Sequence, residues 1–139
     1  MHFDDLSVGD VLEPRTVDSV REEDAKLVAA LLEDPYRPHF DERFASDLGY
    51  PTLLNQGPIN LSYLLQTITR HLERPSDVRS FDMQFRDMVF VGDDVVATAT
   101  VEEKRVVDGD GIVDFSLALE REDGTVAVEG SVSARFPHS

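Results

Sequence analysis

The sequence contains no cysteine among its 139 residues. A disulfide framework, a thiolate nucleophile and a thiolate metal site are therefore excluded. The four histidines are also scattered along the chain, and two of them lie near the termini: His2, His39, His71 and His138. We therefore expect no metal site, and we look for chemistry among carboxylate, imidazole and backbone groups.

Positive charge is scarce as well. The chain has 28 acidic residues against 13 basic ones, which gives a formal net charge of -15, and only Lys26 and Lys104 are lysines. Nucleic acids and anionic membranes are bound by basic patches, so we expect neither as a partner. An acidic, lysine-poor surface is typical of a high-salt cytoplasm, where ions screen the repulsion between carboxylates. A moderately acidic protein from a GC-rich genome explains the composition equally well.

Long hydrophobic runs are missing too. No apolar stretch approaches the roughly 20 residues that cross a bilayer, and residues 1–5 lack the basic and then hydrophobic pattern of a signal segment. We therefore expect a soluble, cytoplasmic protein. With 41% hydrophobic residues, the chain suits one globular domain over residues 1–139 and is too short for two ordinary domains.

The first third of the chain predicts a short strand and two helices. Residues 11–17 read as the strand. Ser19 followed by Glu22 fits a capping box at the start of the first helix, and Asp34-Pro35 ends that helix. Its apolar residues are expected on one inward face: Ala25, Val28, Leu31 and Leu32. A second, short helix over residues 41–49 ends at Gly49.

The most hydrophobic stretch begins at Gly57 and Pro58. Proline suits the first helical position, and glycine lets the chain turn into the helix. Apolar side chains then occupy nearly every face of the predicted helix: Ile59, Leu61, Tyr63, Leu64, Leu65, Ile68 and Leu72. A helix that is apolar all round is typically buried.

The remainder predicts an antiparallel meander. Strands are expected over residues 78–90, with a break near Asp87, and over 95–107, followed by a hairpin turn at 108–111. Alternating residues from Val113 to Leu119 predict a half-buried strand, and a last strand follows the turn at Asp123-Gly124. One sheet wrapped around one long apolar helix would bury all of these faces, which is the α+β hotdog fold.

One irregular segment, from Glu33 to Asp41, combines an acid and an imidazole. Asp34 and His39 are five residues apart, and Pro35 and Pro38 disfavour helical geometry for the residues before them, Asp34 and Arg37. A rigid loop of this kind could hold both side chains towards one point. Taken alone, such a spacing is more typical of an ordinary surface loop.

Together with other motifs, this segment resembles the MaoC-like dehydratases, and among them the short (R)-specific enoyl-CoA hydratases. The matching positions are Asp34-x4-His39-x-Asp41-x2-Phe44-Ala45, Gly49-Tyr50, Gly57 before the buried helix, and the strand-turn-strand segment from Met83 to Val95. The likeness covers nearly the whole chain, which we therefore interpret as a single MaoC-like hotdog domain.

The resemblance implies a homodimer or higher homo-oligomer that reversibly hydrates trans-2-enoyl thioesters to 3-hydroxyacyl thioesters. Asp34 and His39 would bracket a water molecule, and the backbone N–H of Gly57 would polarise the thioester oxygen. No separate cofactor is implied, since coenzyme A or an acyl carrier protein would be part of the substrate. Candidate substrate contacts are Asn55, Gln56, Tyr36 and Ser62.

Three departures from the family pattern keep other functions open. Tyr36-Arg37-Pro38 stands where the family usually has asparagine-proline, Gln56 replaces a usual histidine, and Leu53-Leu54 replaces a proline-isoleucine stretch. Asn55 and Gln56 could instead satisfy backbone groups at the helix start, and Ser62 could belong to the core. The alternatives are a non-catalytic acyl-thioester-binding subunit and a hotdog thioesterase, although thioesterases usually carry an acid on the central helix.

If the acidic surface is an adaptation to high salt, lowering the salt concentration should lower the free energy of unfolding, because unscreened carboxylates repel one another more strongly in the compact state. Thermal melts between low and multimolar salt measure this. A melting temperature that does not change with salt would contradict the high-salt explanation.

Overall fold

One five-stranded antiparallel sheet organises the chain, in the strand order β1-β3-β4-β5-β2. The computed structural model describes residues 1–138. The strands are β1 (Arg15–Val17), β2 (Val78–Phe85), β3 (Val95–Val107), β4 (Asp110–Arg121) and β5 (Val126–Phe136), and the helices are α1 (Glu22–Leu31), α2 (Glu42–Asp47) and α3 (Gly57–Thr69). Single 3₁₀ turns lie at Phe3–Asp5, Arg37–His39 and Pro75–Asp77.

The hairpin between β3 and β4 forms where the sequence predicts it. Val107 pairs with Asp110, so Asp108 and Gly109 alone make the turn. Both have positive φ angles, 52° and 83°, which is the backbone of the two-residue turn that best matches strand twist. The turn fixes the register, and β4 therefore presents its alternating apolar residues to the core.

The concave face of the sheet packs on α3, which confirms the hotdog architecture. Val113, Phe115, Leu117 and Leu119 of β4 are buried in one cluster with Leu64 and Ile68 of α3. The helix is not buried on every side, however, because Leu61 and Leu65 remain partly exposed in the single chain.

Among the described residues, no helix has the length and apolarity needed to cross a bilayer.

The predicted inward face of α1 is confirmed for Ala25 and Val28, which packs against the core, and is wrong for Leu31 and Leu32. Ala25 and Ala29 are its buried residues, whereas Leu31 is 72% exposed and Leu32 is also exposed. The contact face is built from small side chains, and there the Gln56 side chain reaches the carbonyl of Ala25 at 2.6 Å; the leucines lie on the outer side. The helix begins after Arg21, which makes no side-chain capping bond.

The predicted capping box is wrong for a tertiary reason. Ser19 has a positive φ of 60°, and its backbone N–H donates to Oδ1 of Asp94, which lies 75 residues away in the chain. This contact ties the segment before α1 to the turn before β3. The local signal of a serine followed by glutamate is therefore overridden by packing.

The strand predicted over residues 78–90 ends at Phe85, close to the break predicted near Asp87. The next two backbone N–H groups, of Arg86 and Asp87, both donate to the carbonyl of Ala127, so the chain leaves the sheet there. The following residues pair instead with a short strip ahead of α3: Val91 N–H donates to Leu53 O and Asn55 N–H donates to Val89 O, each at 2.8 Å. This strip, residues 53–55, carries the candidate site.

Candidate active site

Asp34 is positioned by the end of α1. Glu33 turns the chain with a φ of 50°, and the Asp34 N–H then donates to the carbonyl of Ala29 at 2.9 Å. Its Oδ1 accepts the backbone N–H of Tyr36 at 3.0 Å, as in an Asx turn. Oδ1 is therefore occupied by a hydrogen bond within the loop, and Oδ2 faces His39.

His39 is buried and held by the strip. It ends the 3₁₀ turn Arg37–His39, in which Pro38 fixes the backbone, and only 7% of its surface is exposed. Its Nδ1 lies 2.7 Å from the carbonyl oxygen of Leu54. Because a carbonyl only accepts, Nδ1 carries the hydrogen, and Nε2 of the neutral ring is the free acceptor.

The two predicted catalytic side chains face each other. Nε2 of His39 lies 3.5 Å from Oδ2 of Asp34. This separation is longer than an ordinary N–H···O hydrogen bond, and both atoms can contact one water molecule. A carboxylate and an imidazole that contact the same water molecule can take up and return its protons.

Gly57 is the first residue of α3. The N–H groups of a first helical turn have no partner within the helix, and Gln56 makes no side-chain capping bond to them. A Cβ at Gly57 would lie 3.2 Å from Cε1 of Phe85, so glycine leaves room for this ring beside the helix start. Leu54, which holds His39, comes only three residues before Gly57.

Two of the predicted substrate contacts are buried and already bonded. The Asn55 side chain donates to Oδ1 of Asn60 at 2.8 Å, and the Gln56 Nε2 donates to the carbonyl of Ala25 at 2.6 Å. Asn55 Oδ1 and Gln56 Oε1 have no hydrogen-bond partner among the described residues. Ser62 is half-buried, and its hydroxyl donates to the carbonyl of Ile59 within α3.

Tyr36 is the predicted contact that lies at the surface beside the dyad. It is 45% exposed, and its ring meets that of His39 edge-on, with centroids 5.2 Å apart. Its hydroxyl is 3.5 Å from that of Tyr50, and this contact, followed by burial, raises the pKa of Tyr36. The pair forms an aromatic rim over the imidazole.

The loop is further ordered by Asp41. Its Oδ1 accepts the backbone N–H of Phe44 at 3.0 Å and so caps α2, and its Oδ2 accepts from Arg37 at 2.6 Å. The Phe44 N–H and then the Arg37 guanidinium lower the pKa of this carboxyl.

Within residues 1–138, no group of three or more His, Asp or Glu side chains is arranged to hold a metal ion.

Some residues at the site could not be identified from the sequence. Leu54 contributes only a backbone carbonyl, which carries no side-chain signal. Phe85 belongs to the predicted strand, but its contact with the start of α3 depends on where β2 ends. Tyr50 lies in the family motif, and its neighbour Tyr36 is a departure from that motif, so their pairing becomes visible only in the folded chain.

Comparison with known proteins identifies the family of the chain. The model of the MaoC-like domain family matches residues 5–120, which is most of the chain. The chain belongs to the MaoC-like domain family. A curated relative in Solanum lycopersicum, named a mitochondrial 3-hydroxyacyl-[acyl-carrier-protein] dehydratase, is 24% identical over 132 residues, which cover 95% of this chain and 78% of the relative.

Solved structures share the fold of this MaoC-like chain. The unliganded R-hydratase PhaJ1 from Pseudomonas aeruginosa superposes with a TM-score of 0.87 at 22% identity, over 99% of this chain and 86% of that one. The (R)-hydratase from A. caviae, involved in PHA biosynthesis, gives 0.81 at 22% identity, over 95% and 98% of the two chains. At these identities the likeness establishes the fold.

The position of the His39 proton is a direct prediction of the site. At a pH where the ring is neutral, we expect the hydrogen on Nδ1, because the Leu54 carbonyl can accept but cannot donate. Nitrogen-15 NMR of the imidazole distinguishes the two tautomers, and His2 serves as an exposed control. A hydrogen found mainly on Nε2 would contradict the arrangement.

Proposed function

We propose that this MaoC-like protein is a hydro-lyase that reversibly adds water to trans-2-enoyl thioesters and forms 3-hydroxyacyl thioesters. The observation that carries the proposal is the facing pair of His39 Nε2 and Asp34 Oδ2, 3.5 Å apart. The names of its relatives, a 3-hydroxyacyl-[acyl-carrier-protein] dehydratase and two R-hydratases, support the same reaction class.

In the proposed reaction, the oxygen of the shared water attacks the β-carbon while one of its protons passes to the Asp34–His39 pair. The electron pair of the double bond moves towards the thioester carbonyl, and negative charge develops on its oxygen. A proton from the pair is then delivered to the α-carbon, so one molecule of water is added overall. Positioned acid–base groups of this kind contribute about 10²–10⁴-fold in rate.

The developing charge on the thioester oxygen requires a donor. In the proposal this is the Gly57 N–H at the start of α3, where the helix dipole also favours negative charge. An oxyanion donor is worth about 2.7–4 kcal/mol of barrier in enzymes where one has been removed. A backbone donor at the beginning of a largely buried helix needs no reorganisation during the reaction.

We further propose that two copies of the chain complete the site. The edge strand β2 has one unpaired side, and its Phe81 and Phe85 are 51% and 55% exposed. Phe85 also touches the start of α3. Within residues 1–138, several surface cavities lie over the sheet and its turns, and neither Asp34 nor His39 lines these cavities. A partner packed on β2 would bury the aromatic rings and enclose the site.

One observation favours a second candidate, a non-catalytic subunit that binds acyl thioesters. The ring of Tyr36 packs against His39 and covers one side of the proposed acid–base pair. A thioesterase is less well supported, since α3 contains no carboxylate. The choice of carrier, coenzyme A or acyl carrier protein, and the cytoplasmic location remain predictions.

Removing either member of the dyad should strongly slow hydration. We expect Asp34→Asn and His39→Gln each to lower the turnover of crotonyl-CoA by about 10²-fold or more, because each removes a proton-transfer group. The loss of enoyl absorbance measures turnover, at low and at multimolar salt. Asp47→Asn, on the exposed surface of α2, is the matched control and should keep full activity.

The other outcomes separate the alternatives. Release of free coenzyme A from crotonyl-CoA would indicate a thioesterase. Saturable binding of crotonyl-CoA without turnover by the unmodified protein would indicate the binding subunit. Hydration that survives both dyad substitutions would contradict the assignment of these residues.

A further inference from the structure

Gln56 joins the two helices that carry the candidate site. It is 1% exposed, and its Nε2 donates at 2.6 Å to the carbonyl of Ala25 in the first turn of α1. Ala25 is itself fully buried. The bond therefore connects the residue immediately before α3 with a helix that lies 31 positions earlier in the chain.

Each of the two helices positions one proposed catalytic group. The carboxylate of Asp34 follows α1 and is held to it through the bond from the Asp34 N–H to Ala29 O. The proposed oxyanion donor, Gly57 N–H, is the first residue of α3 and follows Gln56 directly. A bond between Gln56 and α1 consequently fixes the distance from the carboxylate to that donor.

The amide of Gln56 is not explained by stability alone. Its Nε2 is satisfied, but Oε1 is buried without a hydrogen-bond partner among the described residues. A buried acceptor left unpaired is costly, whereas an apolar side chain of similar shape can be neutral or stabilising. The carbonyl of Ala25 only accepts hydrogen bonds, so the Gln56 amide cannot flip and place Oε1 against it in place of Nε2. Buried polar groups that break this rule are expected at functional positions.

We propose that Gln56 is a positioning residue, which sets the separation between the acid–base pair and the amino end of α3. The inference rests on the proposed hydro-lyase function. It replaces the expected substrate contact, because the side chain is buried and its Nε2 donates to Ala25 inside the protein. Gln56 acts through the placement of α3 and does not touch the reacting atoms.

The first test is Gln56→Met, which keeps the length of the side chain and removes its amide. We expect kcat for crotonyl-CoA to fall about 10–100-fold, because small misplacements of catalytic groups cost rates of this order. KM should change less than about two-fold, in keeping with a role in the transition state alone. An unchanged kcat, or a higher KM at unchanged kcat, would overturn the proposal.

Gln66→Met is the matched control. It makes the same substitution in the same helix, where Gln66 Oε1 accepts from Arg15 on β1 at 2.8 Å. This variant should keep the kcat of the unmodified protein. A purely structural role for Gln56 would lower the melting temperature of Gln56→Met well below that of the control and leave kcat per folded molecule unchanged.

Gln56→Glu supplies an independent test that uses pH. A protonated glutamic acid can donate to the Ala25 carbonyl as the amide does, whereas the carboxylate cannot and is repelled by that oxygen. The kcat of this variant relative to the unmodified protein should therefore rise as pH is lowered, and that of Gln56→Met should not. A ratio for Gln56→Glu that does not change with pH would contradict the role of the bond.

Crystal structures of the unmodified protein, of Gln56→Met and of Gln66→Met test the inference without an activity assay. The start of α3 should shift relative to Asp34 in Gln56→Met and remain in place in Gln66→Met. An unmoved Gly57 would overturn the positioning role, whatever the activity. A protein that hydrates no thioester but shows the shift would refute the proposed function and leave the link itself established.

Discussion

The candidate site depends on one hydrogen bond, from Nδ1 of His39 to the carbonyl oxygen of Leu54 at 2.7 Å. It fixes the tautomer of a buried ring, and it points Nε2 at Asp34. Without this bond the imidazole could rotate or carry its hydrogen on the wrong nitrogen. The other hydrogen bonds of the loop, made by Asp34 at its start and Asp41 at its end, hold the loop in place.

The carbonyl of Leu54 is itself held on both sides. The Leu54 N–H donates to Pro38 O at 2.9 Å, so the strip pairs with the loop that carries His39, while Asn55 N–H donates to Val89 O on the other side. The strip then continues into α3 through Gln56. One short extended segment thus connects the imidazole, the chain that leaves β2 and the start of the central helix.

Strand alternation and turn chemistry were sufficient to predict the meander from β3 to β5. Val113 to Leu119 alternate cleanly, and Asp108-Gly109 can adopt the positive φ angles that the hairpin needs, so local signals and the fold agree. They disagree at the end of α1, where Leu31 and Leu32 fit an inward face yet lie outside, since the buried face of the helix is formed by Ala25 and Ala29. The meeting of Asp34 with His39 follows from the family motif. The backbone partner of His39 and the link from Gln56 depend on tertiary contacts that no spacing in the sequence encodes.

The most direct test of this account is a crystal structure with bound (R)-3-hydroxybutanoyl-CoA, the product of crotonyl-CoA hydration. The account predicts the 3-hydroxyl oxygen within hydrogen-bonding distance of both Asp34 Oδ2 and His39 Nε2, with the thioester oxygen on the backbone N–H of Gly57. A thioester bound elsewhere, or a hydroxyl that contacts neither side chain, would contradict it.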